Sequence, residues 1–597
     1  MRRPDGKNLI KILLILAAMS SQLLATPKEK YSIESVKIEG NEVFSDERLR
    51  KTMVTKTSSF FKTRTFYMDV FQNDLENLQR FYRQMGFLDA RIEEYTVRRD
   101  TTEKRVHITI QVFEGPRTYI EAITIFGNQF FSEKRLMEEF TLREEEPLLR
   151  SRIESTTNNL LTLYANNGFL DADISSDVTV KQQSQHAFVD FIITEGKRYR
   201  IGDIHISGLE TTQPFVVKRE LTFRKGEVVD YSKLLKSQRE LYLTGLFQGV
   251  FISLESTDPE DSLRNVHIDI REAIPSQLNI AVGYGTVEKA RIRTEVLTDN
   301  FRGTARKLSF AAKASFTYRG AEASFTEPWT LGTPFRTDFN LSAEYLEEPS
   351  YNLRSIGGRL TIGRKFLARS NTTITYRHEN NRLSDIKIAE FQTQPPNNIR
   401  SLRLSFIYDT RNNIFNTANG FYGEFGNEVI GPFYRRKVDF MKGTAELKYF
   451  RPLTGSTIFA TAFRFGWITA AGGLDKIPLN ERFYAGGAGD LRAFEYRKAG
   501  PLDKNGLPVG GKIKLIWNLF EIRQRVYKMF GIALFGEIGN IYIEPSELTL
   551  RNLRQSLGAG IRFNSPVGLL RLDLGVNPDP RNNEDPTQIY FSVGHPF

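Results

Sequence analysis

The sequence predicts an α+β first half of tandem β-α-α-β-β modules and an all-β second half, a 16-stranded antiparallel transmembrane barrel. Three observations predict it. Tyr82-Arg83-Gln84-Met85-Gly86-Phe87-Leu88-Asp89-Ala90 recurs as Tyr164-Ala165-Asn166-Asn167-Gly168-Phe169-Leu170-Asp171-Ala172, with a degenerate copy at Tyr242-Leu243-Thr244-Gly245-Leu246-Phe247. A repeat of about 80 residues marks small tandem domains rather than solenoid turns. The repeats end near residue 273, and about 320 residues of short alternating strands follow. The N-terminus reads as a secretory signal.

That signal occupies residues 1–25. Arg2, Arg3 and Lys7 form a basic start, Leu9 to Ala18 an apolar run broken once by Lys11, and Leu23-Leu24-Ala25 precedes Thr26-Pro27. The run is shorter than the ~20 residues a spanning helix requires. The 597-residue chain has no cysteine, which excludes disulfides, thiolate metal sites, cysteine nucleophiles and a lipidated N-terminal cysteine. Six scattered histidines offer little metal chemistry, and no cofactor is expected. The net charge of +11 arises from interspersed acids and bases, which reads as a mixed solvated surface and not as a nucleic-acid site.

The modules are expected at 30–116, 117–197 and 198–273. Each opens with an alternating strand ending in a glycine turn: Ile33 to Gly40-Asn41, Ile120 to Gly127-Asn128, and Ile201 to Gly208. Gly-Asn supplies left-handed turn residues, and Ser45 or Ser132 is placed to cap the next helix. Leu75, Leu78, Phe81 and Tyr82, like Leu160, Leu161 and Tyr164, fall at helical spacing, and Gly86 and Gly168 end those helices. Two strands close each copy, with matching ends at Phe113-Glu114-Gly115, Ile193-Thr194-Glu195-Gly196 and, more weakly, Ile270-Arg271-Glu272-Ala273. A three-stranded mixed sheet with an open edge results, and an open edge can pair with an extended peptide.

The barrel is expected over 277–597, with strands starting near 277, 290, 306, 319, 335, 352, 370, 398, 419, 435, 456, 511, 529, 553, 568 and 588. At ~9–11 residues per tilted strand, this length suits a spanning barrel. Leu570, Leu572, Leu574 and Val576 alternate with Leu569, Arg571, Asp573 and Gly575, and Leu557, Ala559, Ile561 and Phe563 with Ser556, Gly558, Gly560 and Arg562. A soluble sandwich with the apolar face inward has the same alternation. Membrane is favoured by the row Phe459, Phe463, Phe465 and Trp467, by short connections at Leu331 to Pro334, Leu453 to Gly455 and Pro566-Val567, and by the signal segment.

With these elements in place, the repeats resemble POTRA domains of the BamA/TamA family of outer-membrane assembly proteins, the three-module count being closest to the TamA-like type. The loop at about 469–510 carries Arg482-Phe483-Tyr484-Ala485-Gly486-Gly487 and Asp490-Leu491-Arg492-Ala493-Phe494, and resembles the family's loop-six motif, with Ala493 in place of the family glycine. The resemblance implies that this loop folds from the outer face into the lumen and that Arg492 docks on the barrel wall. Glu537 lies on the face opposite Phe530, Ile532, Leu534 and Ile538, hence inward, and can form a charge-assisted pair with the guanidinium. Glu521 is the second acid the family suggests, yet it shares parity with Ile513, Leu515, Trp517 and Leu519 and so points to lipid unless a bulge intervenes. Asp409-Thr410-Arg411-Asn412-Asn413 with Thr417 and Gly420, and Ser565-Pro566-Val567-Gly568, resemble the family's inner turns.

Ile589, Phe591, Val593, His595 and the terminal Phe597 alternate with Tyr590, Ser592, Gly594 and Pro596, which resembles the C-terminal recognition signal of outer-membrane barrels (Phe591, Val593, Gly594, Phe597). Gly283 and Gly285 in the first strand and Gly594 and Pro596 in the last make a weak closing ladder, since proline donates no amide hydrogen. The expectation is a non-enzymatic insertion factor of the outer membrane with its arm in the periplasm. Its seam opens as a lateral gate and templates unfolded barrel or autotransporter substrates, and thinned bilayer nearby lowers the insertion cost. The expected partners are those substrates, outer-membrane lipid and lipopolysaccharide, and a periplasmic or inner-membrane accessory protein, with no nucleic acid. A two-partner secretion exporter is the alternative. A passive porin does not explain the arm, and no Gly-x-Ser-x-Gly, metal triad or phosphate loop supports an enzyme.

Overall fold

The computed structural model describes residues 31–58, 63–181, 185–255, 261–367, 369–391, 397–414, 416–431, 439–565, 568–581 and 584–593. The signal segment 1–25, Pro566-Val567, and Gly594, Pro596 and Phe597 lie outside these described residues. Residues up to 205 with 222–237 and 252–267 form one compact unit, and 206–221, 238–251 and 268 onward form a second.

The first module runs β1 (Ser32–Glu39), α1 (Asp46–Thr52), α2 (Met68–Gln84), β2 (Arg91–Asp100) and β3 (Arg105–Phe113). The second runs β4 (Tyr119–Phe126), α3 (Glu133–Met137), α4 (Arg150–Ala165), β5 (Asp173–Lys181) and β6 (His186–Thr194). The third runs β7 (Arg200–Ser207), α5 (Pro214–Glu220), α6 (Tyr231–Leu243), β8 (Phe247–Glu255) and β9 (Leu263–Glu272). In every case the last strand is central, giving the orders β1-β3-β2, β4-β6-β5 and β7-β9-β8. The first strand lies parallel to the central one and the fourth element antiparallel, as in β1-β3 and β2-β3. The shared nonapeptide is packing chemistry. Tyr82 and Tyr164 are fully buried, with Phe87 and Phe169 edge-on to them at 5.9 and 5.6 Å.

Gly40, Gly127 and Gly208 are all left-handed (φ 81, 84 and 78°), and a Cβ on any of them would collide with the central-strand carbonyl of Val112, Ile193 or Ile270. Only glycine satisfies both conditions. Ser132 caps α3 by accepting from the Arg135 amide at 3.4 Å. Ser45 makes no such bond; Asn41 holds that turn instead, donating to Phe44 O at 2.8 Å and Asp46 Oδ1 at 2.9 Å.

The closing acids turn out to be staples. Glu114 accepts from the Val43 amide (3.1 Å) and the Tyr82 hydroxyl (2.9 Å), and Glu195 from the Gln129 and Phe130 amides and the Tyr164 hydroxyl, all at 2.8 Å. In the third module Glu272 accepts from the Glu210, Thr211 and Thr212 amides, while the Tyr242 hydroxyl accepts from Val250 N at 3.0 Å. In the degenerate third copy the tyrosine hydroxyl bonds the β8 backbone in place of the closing acid.

Sixteen strands follow: β10 (Ser276–Gly285), β11 (Lys289–Phe301), β12 (Arg306–Ser315), β13 (Tyr318–Glu327), β14 (Arg336–Glu348), β15 (Tyr351–Arg364), β16 (Ser370–Ser384), β17 (Asn397–Asp409), β18 (Gly420–Ile430), β19 (Phe440–Pro452), β20 (Thr457–Ala470), β21 (Ile513–Tyr527), β22 (Phe530–Tyr542), β23 (Arg554–Ser565), β24 (Gly568–Val576) and β25 (Thr587–Val593). Each pairs with the next and β25 returns to β10, closing the barrel. The starts fall within two residues of the expected ones except at β19, which begins at 440 rather than 435.

Burial decides between sandwich and membrane barrel. Glu537 and Asp573 are 1% and 2% exposed, whereas Leu557 and Ile561 are 49% and 53% exposed. Charge inside and hydrocarbon outside is the reverse of a soluble sandwich and fits a wall bathed in lipid.

Candidate loop-docking site

Between β20 and β21 the chain makes the connection 471–512, and its polar groups are matched to the inward face of the wall. Gly486 and Gly487 are left-handed (φ 106 and 114°) and turn the chain, with the Gly487 amide on Leu491 O at 3.3 Å and Phe494 N on Leu491 O at 3.2 Å. Asp490 is fixed by Lys514 Nζ at 2.8 Å. These turns present Arg492, which is almost wholly buried.

Arg492 Nε donates to Glu537 Oε1 (2.7 Å) and its backbone amide to Glu537 Oε2 (2.8 Å), so one carboxylate of β22 grips side chain and main chain together. Nη2 meets Glu521 Oε2 of β21 at 2.8 Å, and Nη1 faces Asp573 Oδ2 of β24 at 3.6 Å. The guanidinium stacks on Phe535, 3.4 Å from the ring centroid. Ser556 Oγ accepts from the Ala493 amide (3.0 Å) and donates to Glu537 (2.9 Å), and Asn518 Nδ2 donates to Glu537 at 2.8 Å. Three carboxylates around one arginine would repel one another. Arg523 on Glu521, with Arg562 and Arg571 on Asp573, offsets this.

The lipid-facing reading of Glu521 is corrected. Register shifts by one residue at Leu519 in both ladders of β21, from Asn518↔Glu537 to Phe520↔Gly536 and from Ala462↔Asn518 to Ala460↔Glu521. One inserted residue reverses the parity of the residues after it, up to a second shift between Arg525 and Tyr527, so Trp517 points out while Glu521 and Arg523 point in. Ala493 is not in the left-handed region, so its departure from the family glycine imposes no strain. The close approach falls on the wall: a Cβ at Gly575 of β24 would collide with the Arg492 carbonyl.

Sequence reading missed a second anchor. Glu481 is buried, pairing with Arg377 of β16 (3.0 Å) and Lys442 of β19 (3.3 Å), and Lys442 also donates to the Glu481 carbonyl at 2.8 Å. Arg377 in turn bridges Glu379 (3.1 Å) and Glu428 of β18 (2.8 Å). A third contact joins Arg497 to Glu348 of β14 at 2.8 Å. Asp573, Ser556 and Gly575 were legible as inward-facing but not as docking residues.

At the seam, the described residues pair Tyr284 with Val593 and Gly285 with Ser592. The Thr286 amide donates to Phe591 O (3.0 Å), the Phe591 amide to Thr286 Oγ1 (2.8 Å), and the Tyr284 and Phe591 rings lie 6.1 Å apart. Gly283 is just below, where an added Cβ would press on Val593 O at 2.9 Å.

The Omp85 superfamily domain matches residues 300–597, and the POTRA repeat, described as a surface antigen variable number repeat, matches 31–115, 118–196 and 199–273. The chain belongs to the Omp85 superfamily. It is 26% identical over 612 residues to the outer membrane protein assembly factor BamA of Nitratidesulfovibrio vulgaris, covering 97% of this chain and 75% of that protein. With BamA of Neisseria meningitidis serogroup B it shares 23% identity over 631 residues, covering 95% and 78%. Its fold matches the crystal structure of Haemophilus ducreyi BamA lacking POTRA domains 1-3 with a TM-score of 0.67 at 16% identity, covering 80% of this chain and 99% of that one. Like its Omp85 relatives, this is an outer-membrane protein with a periplasmic POTRA arm.

Proposed function

We propose that this Omp85 protein assembles other outer-membrane β-barrels, receiving unfolded barrel or autotransporter substrates on its module edges and inserting them through a lateral gate between β10 and β25. The observation that carries this reading is the seam. β10 pairs with β11 along its whole length, from Ser276↔Thr298 to Gly285↔Lys289, whereas Thr587 to Tyr590 of β25 lie beyond the end of β10, which meets β25 at Tyr284↔Val593 and Gly285↔Ser592 next to Gly283. A strand edge with free amides and carbonyls templates another strand. The outer strands β2, β5 and β8 of the modules offer such edges to a chain that has not yet folded. The work requires no covalent step, cofactor or nucleotide. Lipopolysaccharide and lipid line the gate, and an accessory protein on the periplasmic side delivers clients.

The absence of native cysteine makes the test direct. Oxidising a Gly285→Cys, Ser592→Cys pair should stop client assembly and reduction should restore it; full activity while cross-linked would reject the gate. Depletion followed by outer-membrane proteomics identifies the clients. Broad loss of barrels indicates a general insertase, selective loss of autotransporters a specialised one, and loss of one secreted protein an exporter instead.

A further inference from the structure

We infer that Tyr590 is a positioning residue that couples loop docking to closure of the seam. This deepens the gate reading above and rests on it. Tyr590 lies on β25, the strand that must part from β10, and its side chain turns inward and is buried. Its hydroxyl donates to the Phe494 carbonyl at 2.6 Å. Phe494 is two residues beyond Arg492, with the Arg554 guanidinium 4.8 Å from its ring centroid. Beside β25, Gly575 of β24 receives the Arg492 carbonyl, and Gly575 pairs with Gln588 of β25. The docked turn therefore rests on the last two strands of the barrel together.

The two edges of β25 differ. It pairs with β24 from Leu570↔Val593 to Val576↔Thr587, while its described contact with β10 is confined to the seam pairs and Thr286. Among the described residues, no other lumen-facing side chain of β25 hydrogen-bonds the loop. A buried carbonyl without a donor is costly, so the Phe494 carbonyl favours β25 in its closed position and closed β25 favours the docked loop. Thermodynamic linkage makes the effect mutual: whatever undocks the loop loosens the strand, and the reverse.

Tyr590→Phe removes the hydroxyl and keeps the ring, so the barrel still folds. In full-length protein in lipid vesicles, the oxidation rate of the Gly285→Cys, Ser592→Cys pair reports seam closure, and trypsin cleavage after Arg497 or Lys498 reports loop docking. A control pair across β10 and β11, Ile280→Cys with Thr294→Cys, reports the barrel at large. Tyr590→Phe is expected to slow seam cross-linking and speed loop cleavage, each about fivefold, as loss of one neutral hydrogen bond would do, while the control stays unchanged. An unchanged seam rate, an unchanged loop, or a control that moves in step overturns the coupling. The comparison stands whether or not the oxidised pair blocks assembly, so failure of the gate and failure of the latch are separate results.

Discussion

Arg492 spreads one planar cation over carboxylates from β21, β22 and β24, and no other side chain can do this. Arg492→Lys keeps the charge but offers a point donor that satisfies one carboxylate at a time. It is expected to expose the loop to trypsin at Arg497 while the barrel stays folded. Arg492→Ala leaves buried carboxylates facing one another without their cation, a loss on the order of 3–5 kcal/mol for a broken buried pair, and should lower the temperature at which the barrel unfolds on denaturing gels. Gly575→Ala should undock the loop by collision, whereas Ala493→Gly should change stability by less than about 1 kcal/mol, because Ala493 already has an ordinary backbone. At this scale the motif and Glu537 were legible, one from resemblance and the other from strand parity. Asp573 and Ser556 were visible only as polar residues on an inward face. Nothing local says which inward acid meets a loop some 80 positions earlier in the chain, because that pairing is made by the closed barrel.

Elements translate such residues into position, and two of them do so by a single group. In β21 the extra residue at Leu519 is what sets Glu521 on the inward face beside Arg492; deleting Leu519 should straighten the strand while keeping the pairs Asn518↔Glu537 and Phe520↔Gly536, so Glu521 and Arg523 still face inward and the loop keeps its protease protection. Parity reading failed there for the same reason: strand alternation carries no sign of a bulge until the partner ladders are known. In the third module Glu272 holds the turn 210–212, and Thr212 continues the chain of bonds by accepting from Asn300 of β11 at 2.8 Å. Burial pushes the Glu272 carboxyl up, but the hydroxyls and amides of Thr211 and Thr212 outweigh it and hold the group down at about 2. Because the folded pKa lies below the unfolded carboxylate value of about 4.3, this stabilisation is complete above that pH and is lost as pH falls through about 2. Hydrogen exchange at the Glu210, Thr211 and Thr212 amides should therefore gain protection between these two pH values, and Glu272→Gln should abolish that pH dependence. The closers were legible as corresponding residues, but their role was hidden because the amides they grip lie about 60 to 70 positions away.

Across the whole barrel the connection 471–512 acts as a brace with opposite charges at its two main anchors. Glu481 sits in a basic socket on β16 and β19, and Arg492 in an acidic one on β21, β22 and β24. A segment whose two ends are complementary to different sockets has one register in the lumen, since sliding it either way sets like charge against like. The sixteen-strand count could be read from spacing and alternation, and the lumenal loop from the family resemblance; the brace could not, because Glu481 stands in a stretch with no periodic pattern and its partners are spread over two distant strands. The arrangement predicts how the anchors combine. Glu481→Ala or Arg492→Ala alone should leave the loop tethered at the other end, with partial protease protection. The double variant should lose more protection than the sum of the two single losses, although Arg497 still has its partner Glu348. Exchanging the first pair, Arg377→Glu with Glu481→Arg, tests the charge logic, although Glu379 and Glu428 would then face a glutamate and Lys442 an arginine, so the two acids must become glutamine and Lys442 methionine in the same protein. Limited proteolysis of the purified barrel reads all of these variants on one scale. Simple addition of the two single effects would mean that the anchors act independently, and the loop would then be two separate contacts with no brace between them.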